Sequence, residues 1–319
     1  MIRLSKITLY LGMQIDEGGW SASISATLEK RKIKCTVQAM DLKKKLEDDR
    51  VLATGWLQTA ITVFNASIVS ILTYGCGAWL NLNKTQEKKI EAIQRQSLYT
   101  VLDISNKCSY LNVLAICRIM PANDMVKKLK ICFINELLHV KKEGICYEAL
   151  MGEYNKGEIK TLIDEVKEYC EYFEIEDVTE LYQDPKWLKK KIWTSSMNKL
   201  WWALLKSKKA PFHIRNLEEK RQFYFTLPKH QAKIALYYDI GELNLRSNRR
   251  HESCKKYGGI QCVVPGCVED DTLKHLQECH GYSSKFVDDG LPETWIKYLC
   301  QIDRERFQKY KTSLIDFRT

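Results

Sequence analysis

The chain has 319 residues, of which 45% are hydrophobic and 28% are charged, with only 15 Gly and 6 Pro. So few helix breakers exclude a chain dominated by turns and predict a mainly helical globular protein, long enough for two or three domains. The formal net charge of +10 favours polyanionic partners over acidic small molecules.

Cysteine usage and hydropathy argue against secretion and against a membrane span. The 12 cysteines are scattered through apolar stretches such as Ile131-Cys132-Phe133, where a thiol acts as a small buried hydrophobe in a reducing compartment. Met1 to Ile15 lacks the apolar core of a signal peptide, and the apolar run from Ala60 to Tyr74 is short and interrupted by Asn65. We therefore expect a soluble intracellular protein, in the nucleus or cytoplasm, with no membrane partner and no small-molecule substrate.

In chain order, the periodicity predicts a strand and then a series of helices. Lys6 to Asp16 has the character of a strand that ends in a Gly turn, and Trp20 to Asp49 is rich in Lys, Arg and Leu and is predicted helical. Helices are also predicted for Asn123 to Val140 and for Gln231 to Leu245. Two further helices have defined apolar faces: Leu57, Ile61, Phe64, Ile68 and Leu72 within Leu52 to Tyr74, and Ile90, Ile93, Leu98 and Val101 within Thr85 to Leu102.

The charge balance reverses in the second half of the chain. Glu143 to Asp184 holds 13 acidic residues and three Lys, whereas Lys186 to Lys256 holds 18 Lys and Arg and five acids. An acidic run is usually a solvated helical face or a linker; the alternative is an internal mimic of nucleic acid that folds over the basic segment. In the basic segment we expect the Trp residues to pack in a core and the lysines to contact phosphates.

Cysteine and histidine between residues 254 and 282 have the spacing of a zinc site. The pattern Cys262-x4-Cys267-x7-His275-x3-Cys279 supplies the four donors that tetrahedral zinc requires. Pro265-Gly266 makes the turn that points both thiolates inward, and a short helix places the second ligand pair one turn apart on one face. His280 and Cys254 are alternative ligands; Cys262 is favoured because it pairs with Cys267 across the turn.

Several segments, in this order, resemble the carboxy-terminal part of non-LTR retrotransposon reverse transcriptases, over roughly residues 5 to 300. Tyr10-Leu11-Gly12 resembles the primer-grip hairpin of the palm, and Leu72 to Trp79 is similar to the thumb signature L-x-Y-G-x-x-x-W. The other similar segments are Lys89-Ile90-Glu91 and Ile93-Gln94-Arg95 of the thumb helix, Trp201-Trp202 of the linker, and Glu269 to Thr272 ahead of His275-Leu276 in the zinc knuckle.

The resemblance implies a helical, thumb-like bundle with a short N-terminal β-hairpin, a helical linker and a small zinc-knuckle module. The expected division is 1–22 for the palm and primer-grip remnant, 23–142 for the thumb-like domain, 143–253 for the acidic then basic linker, 254–282 for the zinc knuckle and 283–319 for a basic C-terminal helix. The polymerase aspartates of the family precede the primer grip, where this sequence has only nine residues before Tyr10. The nuclease of the family follows the knuckle, where 40 residues remain after Cys279, so we expect neither activity. Phe286-Val287-Asp288-Asp289 matches the aromatic-x-Asp-Asp polymerase pattern but is expected to be a loop, because no partner strand carries a third metal ligand.

The sequence therefore predicts a zinc-containing protein that binds RNA, DNA or both and is not an enzyme. An alternative is a helical scaffold for a protein partner, with a purely structural zinc. Enzymatic Cys or His chemistry is a third and weaker alternative, supported by no nucleophile elbow, P-loop or dinucleotide fingerprint. The predicted phosphate contacts are Lys189, Lys190, Lys191, Arg246, Arg249 and Arg250, with Tyr257 and Tyr282 available either for stacking or for packing.

Overall fold

The computed structural model of this chain describes residues 7–10, 13–16, 20–47, 55–79, 81–106, 108–142, 144–156, 161–206 and 227–240. The predicted mainly helical fold is confirmed, since these residues form nine helices. Two four-residue strands, β1 (Ile7–Tyr10) and β2 (Met13–Asp16), pair antiparallel with Tyr10 opposite Met13. The helices are α1 (Trp20–Glu47), α2 (Trp56–Thr73), α3 (Lys84–Leu102), α4 (Tyr110–Cys117), α5 (Ala122–His139), α6 (Ile145–Lys156), α7 (Leu162–Phe173), α8 (Pro185–Lys206) and α9 (Lys229–Asp239).

The helix α1 is long because its buried positions recur every three or four residues over 28 residues. This spacing keeps one face of the helix against the core. One of the buried positions holds a charged residue, Arg31. The buried hydrophobic residues of this face are Ile24, Leu28, Cys35, Ala39, Leu42 and Leu46.

The helix α2 contains a π-helical segment, Phe64–Val69, between two α-helical segments. Two hydroxyls within α2 donate to backbone carbonyls one turn earlier: Ser67 Oγ to Val63 O at 2.6 Å and Thr73 Oγ1 to Val69 O at 2.8 Å. Such bonds compete with the regular helical pattern. Of the five predicted inward residues, Ile61 is half-buried, and Leu57, Phe64, Ile68 and Leu72 are buried as predicted.

Among the described helices, α2 alone has the length and the hydropathy that a membrane span requires, with a mean hydropathy of 1.4 over 18 residues. The helix begins at Trp56, four residues before the apolar run that the sequence defines, which is why it reaches this length. A third of the helix is buried within the protein. The buried residues include the i, i+4 row Ala60, Phe64, Ile68 and Leu72, so packing accounts for part of its apolar character.

The chain divides into two compact units. The first comprises Met1–Lys45, Ile61–Asp103 and Cys117–Lys208, and the second comprises Leu46–Ala60, Ile104–Ile116 and Lys209–Thr319. In the second unit, α9 lies beside the end of α1 and the start of α2: the Lys229 ammonium donates to Glu47 O at 2.7 Å, and the Lys233 ammonium lies 5.4 Å from the Trp56 ring centroid.

The core of the first unit is built around α5. This helix contacts α3, α6, α7 and α8 and the 3-10 turn Cys76–Ala78. The helices α6 and α7 belong to the acidic stretch, yet their apolar residues pack into the same core as α5 and α8. The buried members of this cluster are Met120, Ile131, Ile134, Leu137, Leu150, Leu162, Ile163, Val166, Cys170, Phe173, Val178, Leu188 and Ile192.

Two of these helices begin with reciprocal side-chain caps. At α3, Asn83 Oδ1 accepts from the Gln86 backbone N–H at 2.9 Å, and Gln86 Oε1 accepts from the Asn83 N–H at 3.1 Å. At α7, Thr161 and Asp164 form the same arrangement. Because each cap satisfies backbone donors that the first helical turn leaves unpaired, it marks where the helix must begin.

Candidate nucleic-acid interface

The segment Leu72 to Trp79, which carries the thumb-like signature, forms the turn between α2 and α3. Gly75 has a φ of +68°, in the left-handed region where a side chain would be strained. Gly77 faces α5, and a Cβ there would lie 3.3 Å from Phe133 Cβ and 3.4 Å from Leu129 O. Gly75 therefore allows the left-handed backbone conformation of the turn, whereas Gly77 allows the turn to lie close to α5.

Arg31 of α1 holds this turn in place. Its guanidinium donates from Nη1 to Leu72 O at 2.8 Å and from Nη2 to Tyr74 O at 2.5 Å, and its Cζ lies 4.7 Å from the centroid of the buried Trp79 ring. Burial lowers the pKa of Arg31, and the nearby Cys76 opposes that shift. Carbonyls at the end of a helix are partly negative, so a buried cation there is stabilised. The role of Arg31 was not predicted from the sequence, although a charged residue in register with an apolar stripe is a usable signal.

A buried ion pair crosses the core of the first unit. The Lys130 ammonium of α5 lies 2.6 Å from Glu165 Oε2 of α7, and Glu165 Oε1 accepts from the Asn81 backbone N–H at 2.6 Å. Burial lowers the pKa of Lys130, and the Glu165 charge opposes that shift. The pair joins three chain segments and is almost completely buried, which makes it part of the scaffold.

Buried side-chain amides tie loops to helices in the same unit. Gln94 of α3 donates from Nε2 to Met120 O at 2.9 Å and accepts at Oε1 from the Ala122 backbone N–H at 2.7 Å. Asn135 of α5 makes the equivalent pair of bonds with the backbone of Gln183, at 2.9 and 3.0 Å. Each amide substitutes for a missing backbone partner, so the segments before α5 and before α8 are held by hydrogen bonds.

The helix α8 presents the predicted phosphate contacts Lys189, Lys190 and Lys191 on its surface. All three side chains are exposed, as is Lys186, and none of the four forms an ion pair with another described residue. Within α8 there are six Lys and no acidic residue. The helix buries a separate row of side chains, Leu188, Ile192, Ser196, Leu200 and Leu204. This row anchors α8 and leaves Lys186, Lys189, Lys190 and Lys191 in solvent.

A fifth lysine lies close to this surface. Lys128 of α5 is half-buried, and burial lowers the pKa of its ammonium; the Cys132 thiol opposes that shift, and the positive charge of Lys189 adds to it. Lys128 also forms no ion pair within the described part of the chain. Two neighbouring cations that repel each other are stabilised by a bound anion.

The remaining lysine in the middle of α8 is engaged with the protein. The Lys199 ammonium lies 3.7 Å from Glu174 Oε1 and 4.5 Å from the centroid of the Tyr172 ring. Lys127 of α5 lies 3.8 Å from the same ring. Lys127 and Lys199 therefore already have partners within the protein. We define the α8 basic surface as the other five lysines: Lys128, Lys186, Lys189, Lys190 and Lys191.

The tryptophans of α8 do not all pack as predicted. Trp193 packs against the core cluster, and the Arg118 guanidinium lies 5.9 Å from its ring centroid. The packing prediction is wrong for Trp187 and Trp202, whose exposed fractions are 44% and 63%. The buried row of α8 uses i, i+4 positions filled by Leu and Ile, which leaves these two indoles on the other side of the helix.

The other predicted site residues lie outside the described part of the chain. They are the zinc ligands Cys262, Cys267, His275 and Cys279, the alternatives His280 and Cys254, the arginines Arg246, Arg249 and Arg250, the aromatic residues Tyr257 and Tyr282, and the segment 286–289. Within the described ranges no three His, Cys, Asp or Glu side chains come together to hold a metal. The zinc site therefore stays a prediction from spacing.

Comparison of this chain with protein families, with curated proteins and with solved structures finds no match. The similarity to reverse transcriptases accordingly rests on the motifs named above. Within the described residues, the structure of the α2–α3 turn explains three residues of the thumb-like signature. Gly75 has a positive φ, Gly77 lies close to α5, and the buried Trp79 ring contacts Arg31.

Proposed function

We propose that this chain binds nucleic acid, RNA or DNA, and that its phosphate contacts are the α8 basic surface and, separately, Arg246, Arg249 and Arg250. The observation that carries the proposal is the set of exposed lysines that form no ion pair with another described residue, on a helix without a single acidic residue. Lysines placed in this way neutralise phosphates and release condensed counterions, so binding is broad in sequence and sensitive to salt.

The proposal includes one structural zinc ion, held by Cys262, Cys267, His275 and Cys279. Thiolate and imidazole donors at this spacing are those of a closed, four-coordinate site. In this reading β1 and β2 are the remnant of the primer-grip hairpin, the helices that follow form the thumb-like bundle, and the zinc knuckle adds a second contact with nucleic acid.

The zinc prediction is checked by elemental analysis of the purified protein, which should give about one equivalent per chain; less than about a tenth of an equivalent would contradict it.

The interface is tested by a salt series with a triple variant, Lys189/Lys190/Lys191→Gln. The slope of log affinity against log salt should fall by about 2 to 3, because each lost phosphate contact accounts for roughly 0.7 to 0.9 of that slope. All three side chains are exposed, so the variant should keep the helicity and the thermal midpoint of the wild type.

A matched control separates the position of the charge from its amount. Lys32, Lys34 and Lys44 of α1 are exposed and form no ion pair with another described residue, so their joint replacement by Gln removes the same charge from another helix. We expect the control to change the slope by less than about 1. If both triple variants reduce the slope equally, binding follows net charge and the proposed α8 interface is wrong.

A second candidate function, a scaffold for a protein partner, is favoured by one face of α1. Ile33, Val37 and Met40 recur at i, i+4 and i+7, and each is exposed by 60% or more. Contiguous exposed apolar side chains are typical of contact surfaces with proteins. An apolar protein interface should respond little to salt, whereas phosphate binding weakens steeply, so the salt series also separates the two functions.

A further inference from the structure

The solvent face of α8 carries aromatic side chains as well as lysines. Trp187 is 44% exposed and Trp202 is 63% exposed, whereas the chain buries Trp56 and Trp79 almost completely. A tryptophan has a larger apolar surface than most residues, and its indole is usually buried or used in contact with a partner. These two indoles therefore need an explanation that packing does not provide.

The two tryptophans share the side of α8 that faces away from the buried row. At 100° per residue, Trp187 projects between Lys190 and Lys191, and Trp202 lies within about 60° of Trp187 around the helix axis. The two tryptophans are fifteen positions apart, which corresponds to roughly 22 Å along the helix. Thr194 and Asn198 lie between them on the same exposed side. An elongated ligand could contact both indoles and the lysines without crossing the core.

We propose that this face of α8 binds single-stranded nucleic acid, with an unpaired base stacked on Trp187 and its phosphates on Lys186, Lys190 and Lys191. The inference rests on the proposed function and narrows its substrate class. An indole offers a flat aromatic surface to any base, and base–aromatic stacking tolerates all sequences. In a duplex the faces of the bases are covered by their neighbours, so the same indole has nothing to stack on.

The charge around Trp187 decides between nucleic acid and an apolar peptide. Three lysines lie at positions i−1, i+3 and i+4 from Trp187, and α8 contains no acid. The nearby Asp184 carboxylate, just before the helix, accepts from the Trp187 backbone N–H at 2.8 Å and forms no ion pair with a described lysine. A peptide that covered the indole alone would leave these ammonium groups without a counter-charge. A single strand supplies a phosphate for each base, so charge and aromatic surface are satisfied by the same ligand.

The test compares a labelled single-stranded thymidine oligonucleotide with a DNA duplex of equal length, using fluorescence anisotropy on the full chain. The variants are Trp187→Leu, which keeps an apolar side chain but removes the aromatic face, and Trp187→Phe, which keeps a smaller one. We expect Trp187→Leu to weaken binding to the single strand by about 5- to 100-fold and to leave duplex binding unchanged. The single-strand affinity of Trp187→Phe should lie between those of the wild type and the Leu variant. The slope of log affinity against log salt should be the same in all three proteins.

The outcomes distinguish this inference from the proposed function. Unchanged single-strand affinity in Trp187→Leu, or an equal loss for single strand and duplex, would overturn the stacking role while leaving salt-dependent binding in place. If the wild type binds neither oligonucleotide, the proposed function fails. Stronger competition by an acidic peptide than by the oligonucleotide would also overturn the inference, because it would assign the surface to a protein.

Discussion

Replacing Lys130 by Met should destabilise the first unit strongly, because it leaves the Glu165 carboxylate buried without its counter-charge. The side chains of the pair are 0% and 6% exposed, and their charged atoms are 2.6 Å apart. Breaking a buried pair on one side costs about 3–5 kcal/mol of unfolding free energy. The hydrogen bond from the Asn81 N–H to Glu165 Oε1 remains and partly compensates the charge, so we expect about 3 kcal/mol.

The reciprocal variant, Glu165→Gln, should show a distinctive dependence on pH. Burial already lowers the pKa of Lys130, and removal of the Glu165 charge takes away the main opposing influence. Between the lowered folded pKa and the unfolded value of about 10.4, the unfolded chain binds more protons. The unfolding free energy of this variant should therefore rise relative to the wild type as pH increases from neutral towards about 10.

The double variant Lys130→Met/Glu165→Gln removes both charges and keeps an acceptor for the Asn81 N–H. It should cost about 1–2 kcal/mol, less than either single change, since buried ion pairs are often replaced by neutral side chains with little loss. The exposed pair Lys141–Glu136, at 2.9 Å, provides the control: Lys141→Met should cost less than about 1 kcal/mol.

Urea unfolding followed by circular dichroism measures all four variants. The coupling of the two buried charges is refuted if the double variant costs the sum of the two single changes, because the charges would then act independently. It is also refuted if Lys130→Met costs no more than the exposed control, because the pair would then be accessible to water.

The other predictions concern the α2–α3 turn and the Gln94 amide, and the same urea titration measures them. Arg31→Lys should cost about 2 kcal/mol, since a single ammonium does not reproduce the forked contacts with Leu72 O and Tyr74 O; a neutral effect would show that one contact suffices. Gly75→Ala should cost about 1 kcal/mol because φ is +68°, and an increase in stability would contradict that backbone conformation. Gln94→Met should cost about 2–4 kcal/mol by removing two buried hydrogen bonds, and Gln94→Glu should cost at least as much, because its carboxylate would be buried without a counter-charge and would face Met120 O without a donor.

The periodicity of the sequence determined the helices of the first half closely. The predicted Thr85 to Leu102 helix is Lys84–Leu102 in the structure, and Asn123 to Val140 is Ala122–His139. The predicted inward residues Ile90, Ile93, Leu98 and Val101 are all buried. Helical periodicity could be predicted because it depends on residues three and four apart, whose side chains lie on one face in any helix.

The tertiary structure alone decided which of these faces meet and which polar groups are buried. Lys130 and Glu165 are 35 residues apart, and Arg31 and Leu72 are 41 apart, so no local pattern connects them. The exposure of Trp187 likewise depends on which row of α8 packs against the core. The sequence of α8 contains more than one row of apolar residues, so the buried row could not be predicted from it. Burial of charge and exposure of an indole are set by neighbours distant in sequence, whereas helical periodicity is set within a few residues.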